Sequence, residues 1–299
     1  MLTGTQVAFI GGDARQLEVI QRLTELDAAV TLIGFDNLKQ SYSGAAQATL
    51  TEDVLADIDA LLLPAVGTDD KGKIEGIFTS KELRLEDAHI ARLPKHAKVY
   101  TGMAKPYLRN LCAKHGIALV ELFERDDVAI YNSIPTAEGA LMLAMQHTDI
   151  TIHGSVAVVL GFGRTGMTMA RSLHGLGAKV LVGVRRDEHF ARAYEMGFEP
   201  FYTSALLQHA GRADLVFNTI PALVVTAQVI AAMQPRAVII DLASKPGGTD
   251  FRFAEKRGVR AMLAPGLPGI VAPKTAGRII ASVVSQLIME DAAKRGNGE

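Results

Sequence analysis

The sequence predicts an α/β protein of two doubly wound parallel-sheet domains joined by a long helix, with a C-terminal helix returning to the first domain. Three observations carry this. A strand, a glycine-rich turn, a helix and a second strand follow one another at residues 156–184, and a similar series stands at residues 7–35. Long helical patterns lie at the midpoint and at the end of the chain. The length of 299 residues is natural for two domains of about 150 residues each.

In the first half, Val7-Ala8-Phe9-Ile10 is an apolar strand running into Gly11-Gly12-Asp13. A helix is expected over residues 15–25 and a strand over 30–35. Further strands are expected at 60–63, 98–101 and 118–120, most of them separated by helical patterns, as in a parallel sheet covered on both faces. Asp13 would turn a carboxylate toward an incoming phosphate, so this half reads as a Rossmann-like substrate domain and not as a second nucleotide site. The polar, glycine-bearing segment 67–76 reads as a mobile loop at the carboxyl edge of that sheet.

The boundary is expected near Asn132-Ser133-Ile134-Pro135-Thr136-Ala137-Glu138-Gly139, with Pro135 in the first turn of a helix running through His147. Residues 275–294 carry Ile279, Ile280, Val283, Val284, Leu287 and Ile288 at helical spacing. The expected domains are therefore 1–134 with a returning helix at 275–295, and 135–274. Two crossovers would leave a cleft in which cofactor and substrate meet.

The most specific motif is Gly161-Phe162-Gly163-Arg164-Thr165-Gly166, between the strand Val156-Ala157-Val158-Val159-Leu160 and a helix expected over 165–176. Gly161 makes the tight turn, Gly163 lets the backbone approach a pyrophosphate, and Gly166 lets helix and strand pack closely. The helix directs unpaired N–H groups and its positive dipole end at the phosphates. A second strand, 179–184, ends in Arg185-Arg186, where an NAD site normally carries an acid for the ribose 2′-hydroxyl. A guanidinium suits a 2′-phosphate, so NADP is the expected cofactor, with Arg185 the stronger candidate of the two. The strands at 215–221 and 238–248 end in small or polar residues, among them Thr219, Pro221 and Ala243, which are expected to line the nicotinamide ribose.

Composition excludes several classes. With 31 basic and 32 acidic residues the net charge is −1, which argues for neither nucleic acid nor an anionic membrane. A lone cysteine, Cys112, allows no internal disulfide, and no apolar run approaches the ~20 residues a bilayer needs. The start lacks a signal-peptide pattern, so a cytoplasmic protein is expected. No metal is expected, because the eight histidines are scattered and no His-Glu-x-x-His is present. A simple hydroxy-acid dehydrogenase would need an Arg after the strand ending at Asp241 and a late His. Here Ser244-Lys245 follow that strand, and His209 is the last histidine.

The opening 7–16, the 132–139 turn, the 161–166 fingerprint and Pro265-Gly266-Leu267-Pro268-Gly269 leading to Thr275-Ala276-Gly277 together resemble the A subunits of bacterial dipicolinate synthases, over essentially the whole chain. The resemblance implies NADP-dependent oxidation of a dihydrodipicolinate-type intermediate of the lysine/diaminopimelate branch to pyridine-2,6-dicarboxylate. It also implies the mother cell of a sporulating bacterium and a small flavoprotein-like partner, the B subunit; in addition, a homo-oligomer is expected. A dicarboxylate needs cations, for which Lys105, Arg109, Lys245 and Lys274 are candidates, although an exposed lysine is the commoner reading of each. Ser133, Thr136, Glu138 and Ser244 are candidates to hold or deprotonate the substrate, Glu138 alternatively favouring a helix N-terminus. Gly266, Pro268 and Gly269 are expected to form a stiff loop shaping the pocket. Two other readings stay open at this point: a methylenetetrahydrofolate-dehydrogenase-like enzyme using Lys105, and a non-catalytic NADP(H)-sensing module.

Overall fold

The computed structural model describes residues 1–296. The chain begins with β1 (Gln6–Ile10), α1 (Ala14–Glu25), β2 (Ala29–Ile33), β3 (Ala45–Ala48) and β4 (Ala60–Leu62). It continues with β5 (Lys73–Ile74), β6 (Leu83–Arg84), α2 (Asp87–Ala91), β7 (Lys98–Thr101), α3 (Pro106–His115) and β8 (Ala118–Glu121). One parallel sheet has the order β3-β2-β1-β4-β7-β8, and β5 and β6 form a separate antiparallel pair. Val7 to Ile10 are buried, as expected of a central strand covered on both faces.

The 22-residue helix α4 (Asp126–His147) leads to β9 (Val156–Leu160), α5 (Arg164–Gly175), β10 (Lys179–Val184), α6 (Asp187–Glu195) and β11 (Glu199–Tyr202). After these come α7 (Leu206–Ala210), β12 (Leu215–Asn218), α8 (Ala227–Ala232), β13 (Val238–Asp241), α9 (Phe251–Arg257), β14 (Arg260–Leu263), α10 (Leu267–Val271) and α11 (Pro273–Gly296). The second parallel sheet runs β11-β10-β9-β12-β13-β14. Both six-stranded sheets thus follow the 3-2-1-4-5-6 order of a dinucleotide-binding fold.

Two compact units result, residues 1–128 with the segment from Pro273, and residues 129–272. The return of α11 to the first unit follows from complementary apolar stripes. In α1, Gln16, Val19, Ile20 and Leu23 are buried at helical spacing, and Ile280, Ala281, Val284 and Ile288 of α11 share the cluster of its apolar residues. Gly277 sets the approach, since a Cβ there would lie 2.5 Å from the Arg15 carbonyl oxygen. Each large side chain so buried contributes about 1.5–3 kcal/mol.

Several expectations are corrected. Helix α4 starts at Asp126, not at Pro135, which lies inside it. Asp126 and Asp127 supply the negative first turn that a helix N-terminus favours. Around the proline, side chains bond back to the helix, Ser133 Oγ to the Ile130 carbonyl at 2.6 Å and Thr136 Oγ1 to that of Asn132 at 2.8 Å. Glu138 is therefore a mid-helix residue, and its alternative role at a helix N-terminus does not apply. The expected Pro-Gly loop is largely helix: Gly266 (φ +71) caps α10, Pro268 stands in its first turn, and α11 follows after Ala272. Segment 67–76 is at the expected edge but is tied down, with Asp69 N–H donating to the Lys73 carbonyl and β5 paired to β6.

Candidate active site

In the second unit, the fingerprint builds a cavity of about 610 Å³. Gly161 has φ +91, and a Cβ there would collide with Thr219 Oγ1. A Cβ on Gly166 would collide with the Gly161 carbonyl oxygen, so the close contact of α5 with the end of β9 requires glycine. Gly163 is the opposite case, with nothing within 4 Å of an added Cβ. It caps α5 without a side-chain hydrogen bond, and the N–H groups of a helix's first turn have no intrahelical partner. Of the fingerprint, Gly161, Phe162, Gly163, Arg164 and Thr165 line the cavity, and Gly166 acts through packing. The Phe162 ring itself is buried, edge-on to Phe198 and His189.

Arg185, Arg186 and His189 line the same cavity beyond the tip of β10. Arg186 pairs with Glu188 at 3.1 Å and its Nη2 donates to His189 Nε2 at 2.6 Å. Arg185 is exposed and has no ion-pair partner among the described residues. Asp187, the nearest acid in sequence, accepts a hydrogen bond from the Tyr202 hydroxyl at 2.7 Å. His189 had no sequence signal; it reaches the cavity because α6 starts at Asp187 and carries it there in the first turn.

The opposite wall comes from the ends of β12 and β13. Thr219 and Pro221 line the cavity, and the Thr219 hydroxyl donates to the Leu160 carbonyl at 2.8 Å. Leu242 lines it where Ala243 was expected; Ala243 is buried, and its N–H donates to Asp241 Oδ1 at 3.1 Å. Asp241 is fully buried. It also accepts from Asn218 Nδ2 at 3.0 Å, Gly248 N–H at 2.8 Å and Thr249 Oγ1 at 2.7 Å. These bonds staple the loop that carries Ser244 and Lys245, both exposed, and the cis peptide bond between Lys245 and Pro246.

Ser133 is buried, its hydroxyl 2.6 Å from Thr168 Oγ1 of α5, and Thr136 is spent on its own helix, while Glu138 is exposed. Gly266 is exposed and Pro268 is buried next to Leu267, which rests against Gly139 of α4; Gly269 is half-buried. In the first unit, Arg109 makes a bidentate pair with Glu121 at 2.7 and 2.8 Å and reaches Glu124 at 3.5 Å. This guanidinium holds the Glu121 carboxyl below its usual range, outweighing desolvation. Lys274 is exposed in the first turn of α11 and has no ion-pair partner among the described residues. Lys105 precedes α3, lies 3.6 Å from Asp70, and faces a cavity of about 410 Å³ at the carboxyl ends of β1 and β4.

The glycine turn of the first unit has no room for a pyrophosphate. Gly12 N–H donates to the Glu75 carbonyl at 2.8 Å, and Ile77 N–H donates to that of Gly12 at 3.0 Å. A Cβ on Gly11 would lie 2.6 Å from the Glu75 oxygen, so the β5–β6 connection occupies the place of a phosphate. Asp13 does not face outward unpaired as expected. It caps α1 and is gripped by Arg15, which keeps its carboxyl below the usual range despite the opposing effect of burial.

A parallel sheet in this order, a glycine turn against a helix N-terminus and an open Gly163 define a dinucleotide-binding protein of the doubly wound class. Residues 6–123 match the N-terminal domain of the dipicolinate synthase A subunit, and residues 132–295 match the alanine dehydrogenase/PNT C-terminal domain. The dipicolinate synthase A subunit of Bacillus subtilis (strain 168) is 51% identical over 296 residues, covering 99% of this chain and 100% of the relative. The crystal structure of the dipicolinate synthase A subunit from Bacillus halodurans superposes with a TM-score of 0.95 at 53% identity, covering 96% of this chain and 99% of that one. A transhydrogenase from Sinorhizobium meliloti shares the fold at 17% identity, with a TM-score of 0.66 and 94% of each chain covered. The chain belongs to the family of dipicolinate synthase A subunits. Membership supersedes the folate-dehydrogenase-like alternative, and the match to an alanine dehydrogenase/PNT domain supports an oxidoreductase over a sensing module. Among the described residues, no helix is long and apolar enough to cross a membrane, and no cluster of metal ligands occurs.

Proposed function

We propose that the protein is an NADP-dependent oxidoreductase that converts a dihydrodipicolinate-type intermediate of the lysine/diaminopimelate branch to dipicolinate. In this reading it works with the flavoprotein-like B subunit of dipicolinate synthase, in the cytoplasm of a spore mother cell. The observation that carries the cofactor choice is Arg185: an exposed guanidinium without an ion-pair partner among the described residues stands where an NAD site would place a carboxylate.

The group held there would supply a hydride acceptor, the nicotinamide ring. The substrate loses that hydride and a proton and becomes an aromatic pyridine, so the chemistry is downhill and rests mainly on positioning. This chain supplies that positioning. The Gly163 turn and the first turn of α5 hold the pyrophosphate, Arg185 with Arg186 holds the 2′-phosphate, and Thr219, Pro221 and Leu242 wall the nicotinamide side. Lys105, Ser244, Lys245, Lys274 and the turn at Gly266 to Gly269 remain candidates for contact with substrate. Arg109, Ser133 and Thr136 would have to exchange their bonds to Glu121, Thr168 and the Asn132 carbonyl to reach substrate.

The test is turnover. The protein is mixed with NADP+ and enzymatically generated dihydrodipicolinate precursor, with and without the flavoprotein partner, while pyridine dicarboxylate and NADPH are followed by absorbance. Both products are expected in equal amounts. Failure to form pyridine dicarboxylate with either nicotinamide cofactor, partner present, would overturn the reading.

A further inference from the structure

The first unit carries a cavity of about 410 Å³ built from the turn after β1 (Gly12, Asp13), Arg15 at the start of α1, the loop after β4 (Pro64 to Asp69), Lys73, Glu75 and Lys105. In the order β3-β2-β1-β4-β7-β8, β1 and β4 are the neighbours at which the winding reverses. Open parallel sheets take ligands at the carboxyl ends of such a pair. The nucleotide mode is closed here, because the β5–β6 connection fills the phosphate position, so a ligand of this cavity is not a dinucleotide.

Its chemistry centres on Arg15. The side chain is only 13% exposed, and Asp13 fixes its plane through Nε at 3.0 and 3.1 Å and Nη2 at 2.6 Å. Nη1 makes no hydrogen bond among the described residues. A guanidinium locked on one edge and open on another presents a preorganised donor fork, which matches a planar carboxylate. Lys73 and Lys105 stand at the rim, Lys105 lying 3.6 Å from exposed Asp70. Of the acids, Asp13 is committed to Arg15, and Asp69 accepts the N–H groups of Lys71 and Lys73 at 2.8 Å each. Exposed Glu75 disfavours a doubly charged phosphate more than a carboxylate.

We propose that this cavity binds a carboxylate of the small dicarboxylic substrate on the free edge of Arg15, with Lys105 at the rim and Asp13 as the positioning residue. The ligand class rests on the proposed function; the anion site itself rests on the geometry.

The test titrates the full-length protein with pyridine-2,6-dicarboxylate by calorimetry, in wild type and in Arg15→Ala, Arg15→Lys and Lys105→Ala. Melting temperature and NADPH affinity serve as controls. Arg15→Ala is expected to weaken pyridine dicarboxylate at least 10-fold with NADPH affinity kept. Arg15→Lys should recover part of the loss, and Lys105→Ala, on a half-exposed side chain, should weaken binding several-fold. In turnover, the same variants should raise KM more than they lower kcat. Wild-type-like affinity in the folded variants, or no binding to the wild type, would overturn the site. Unchanged Arg15 variants in a protein that still turns over would leave the function standing without this site. Weakened binding in a protein that does not turn over would leave the site standing without the function.

Discussion

The side-chain amide of Asn218 donates to Asp241 Oδ1 at 3.0 Å, and both residues are fully buried at adjacent strand ends. With Ala243, Gly248 and Thr249 as further donors, Asp241 is a hub that fixes the loop after β13, whose Leu242 lines the cavity. Asp241→Asn keeps the shape but turns an NH₂ toward donors. A hydrogen bond to a charged group is worth about 1.5–3 kcal/mol, so a loss of at least that size is expected. Calorimetry should show a melting point lower by several degrees, with weaker dinucleotide binding. An unchanged melting point would show that the hub is not needed.

Gly163 and Gly166 should fail in opposite ways. Gly163 is a helix cap with φ −93 and open space beside it, so Gly163→Val should fold normally yet lose dinucleotide binding. Gly166→Ala drives a methyl into the Gly161 carbonyl and should cost about 1–3 kcal/mol of stability, as overpacking does. Thermal melts and NADPH titration of the two variants check this. Tight NADPH binding by folded Gly163→Val would remove the pyrophosphate assignment.

Cys112 offers a pH prediction. Burial pushes its thiol up from the usual 9.0 to about 11. Well below pH 9 the thiol is mostly neutral in both folded and unfolded chains. Between about 9 and 11 only the unfolded chain ionises, so stability should fall as pH rises through that window. Cys112→Ser, whose hydroxyl does not titrate there, should flatten the decline measured by denaturant unfolding. Alkylation at pH 8 should likewise be slow in the native protein and fast in denaturant. Rapid native alkylation would show the thiol to be accessible.

Much of the fold was legible because period and punctuation agree. Strands β7, β10, and the β9 strand before the fingerprint stand where their apolar runs end, as does the helix after Gly163. The overlooked strands lack that pattern. Strand β3 reads Ala-Ala-Gln-Ala without a β-branched residue, β11 holds Pro200 at a sheet edge, and β5 and β6 are two residues each. The Pro135 boundary misled because a proline at a helix start and one inside a helix look alike in sequence. The lining of the second-unit cavity was legible since most of its residues are contiguous motifs at strand tips. The partners of Arg109, Ser133 and Asp13 were not. Glu121 lies 12 residues from Arg109 and Thr168 lies 35 from Ser133, and Arg15 is a neighbour whose direction only the helix cap reveals.

The assignment of the second-unit cavity to NADP(H) is tested most directly by calorimetric titration of wild type and Arg185→Ala with NADPH and with NADH. The wild type should bind NADPH far more tightly than NADH. Losing one charge-assisted contact of about 1.5–3 kcal/mol should weaken NADPH roughly 10- to 150-fold and leave NADH nearly unchanged. Equal affinities in the wild type, or equal losses for both cofactors in the variant, would mean that the cavity does not read the 2′-phosphate through Arg185.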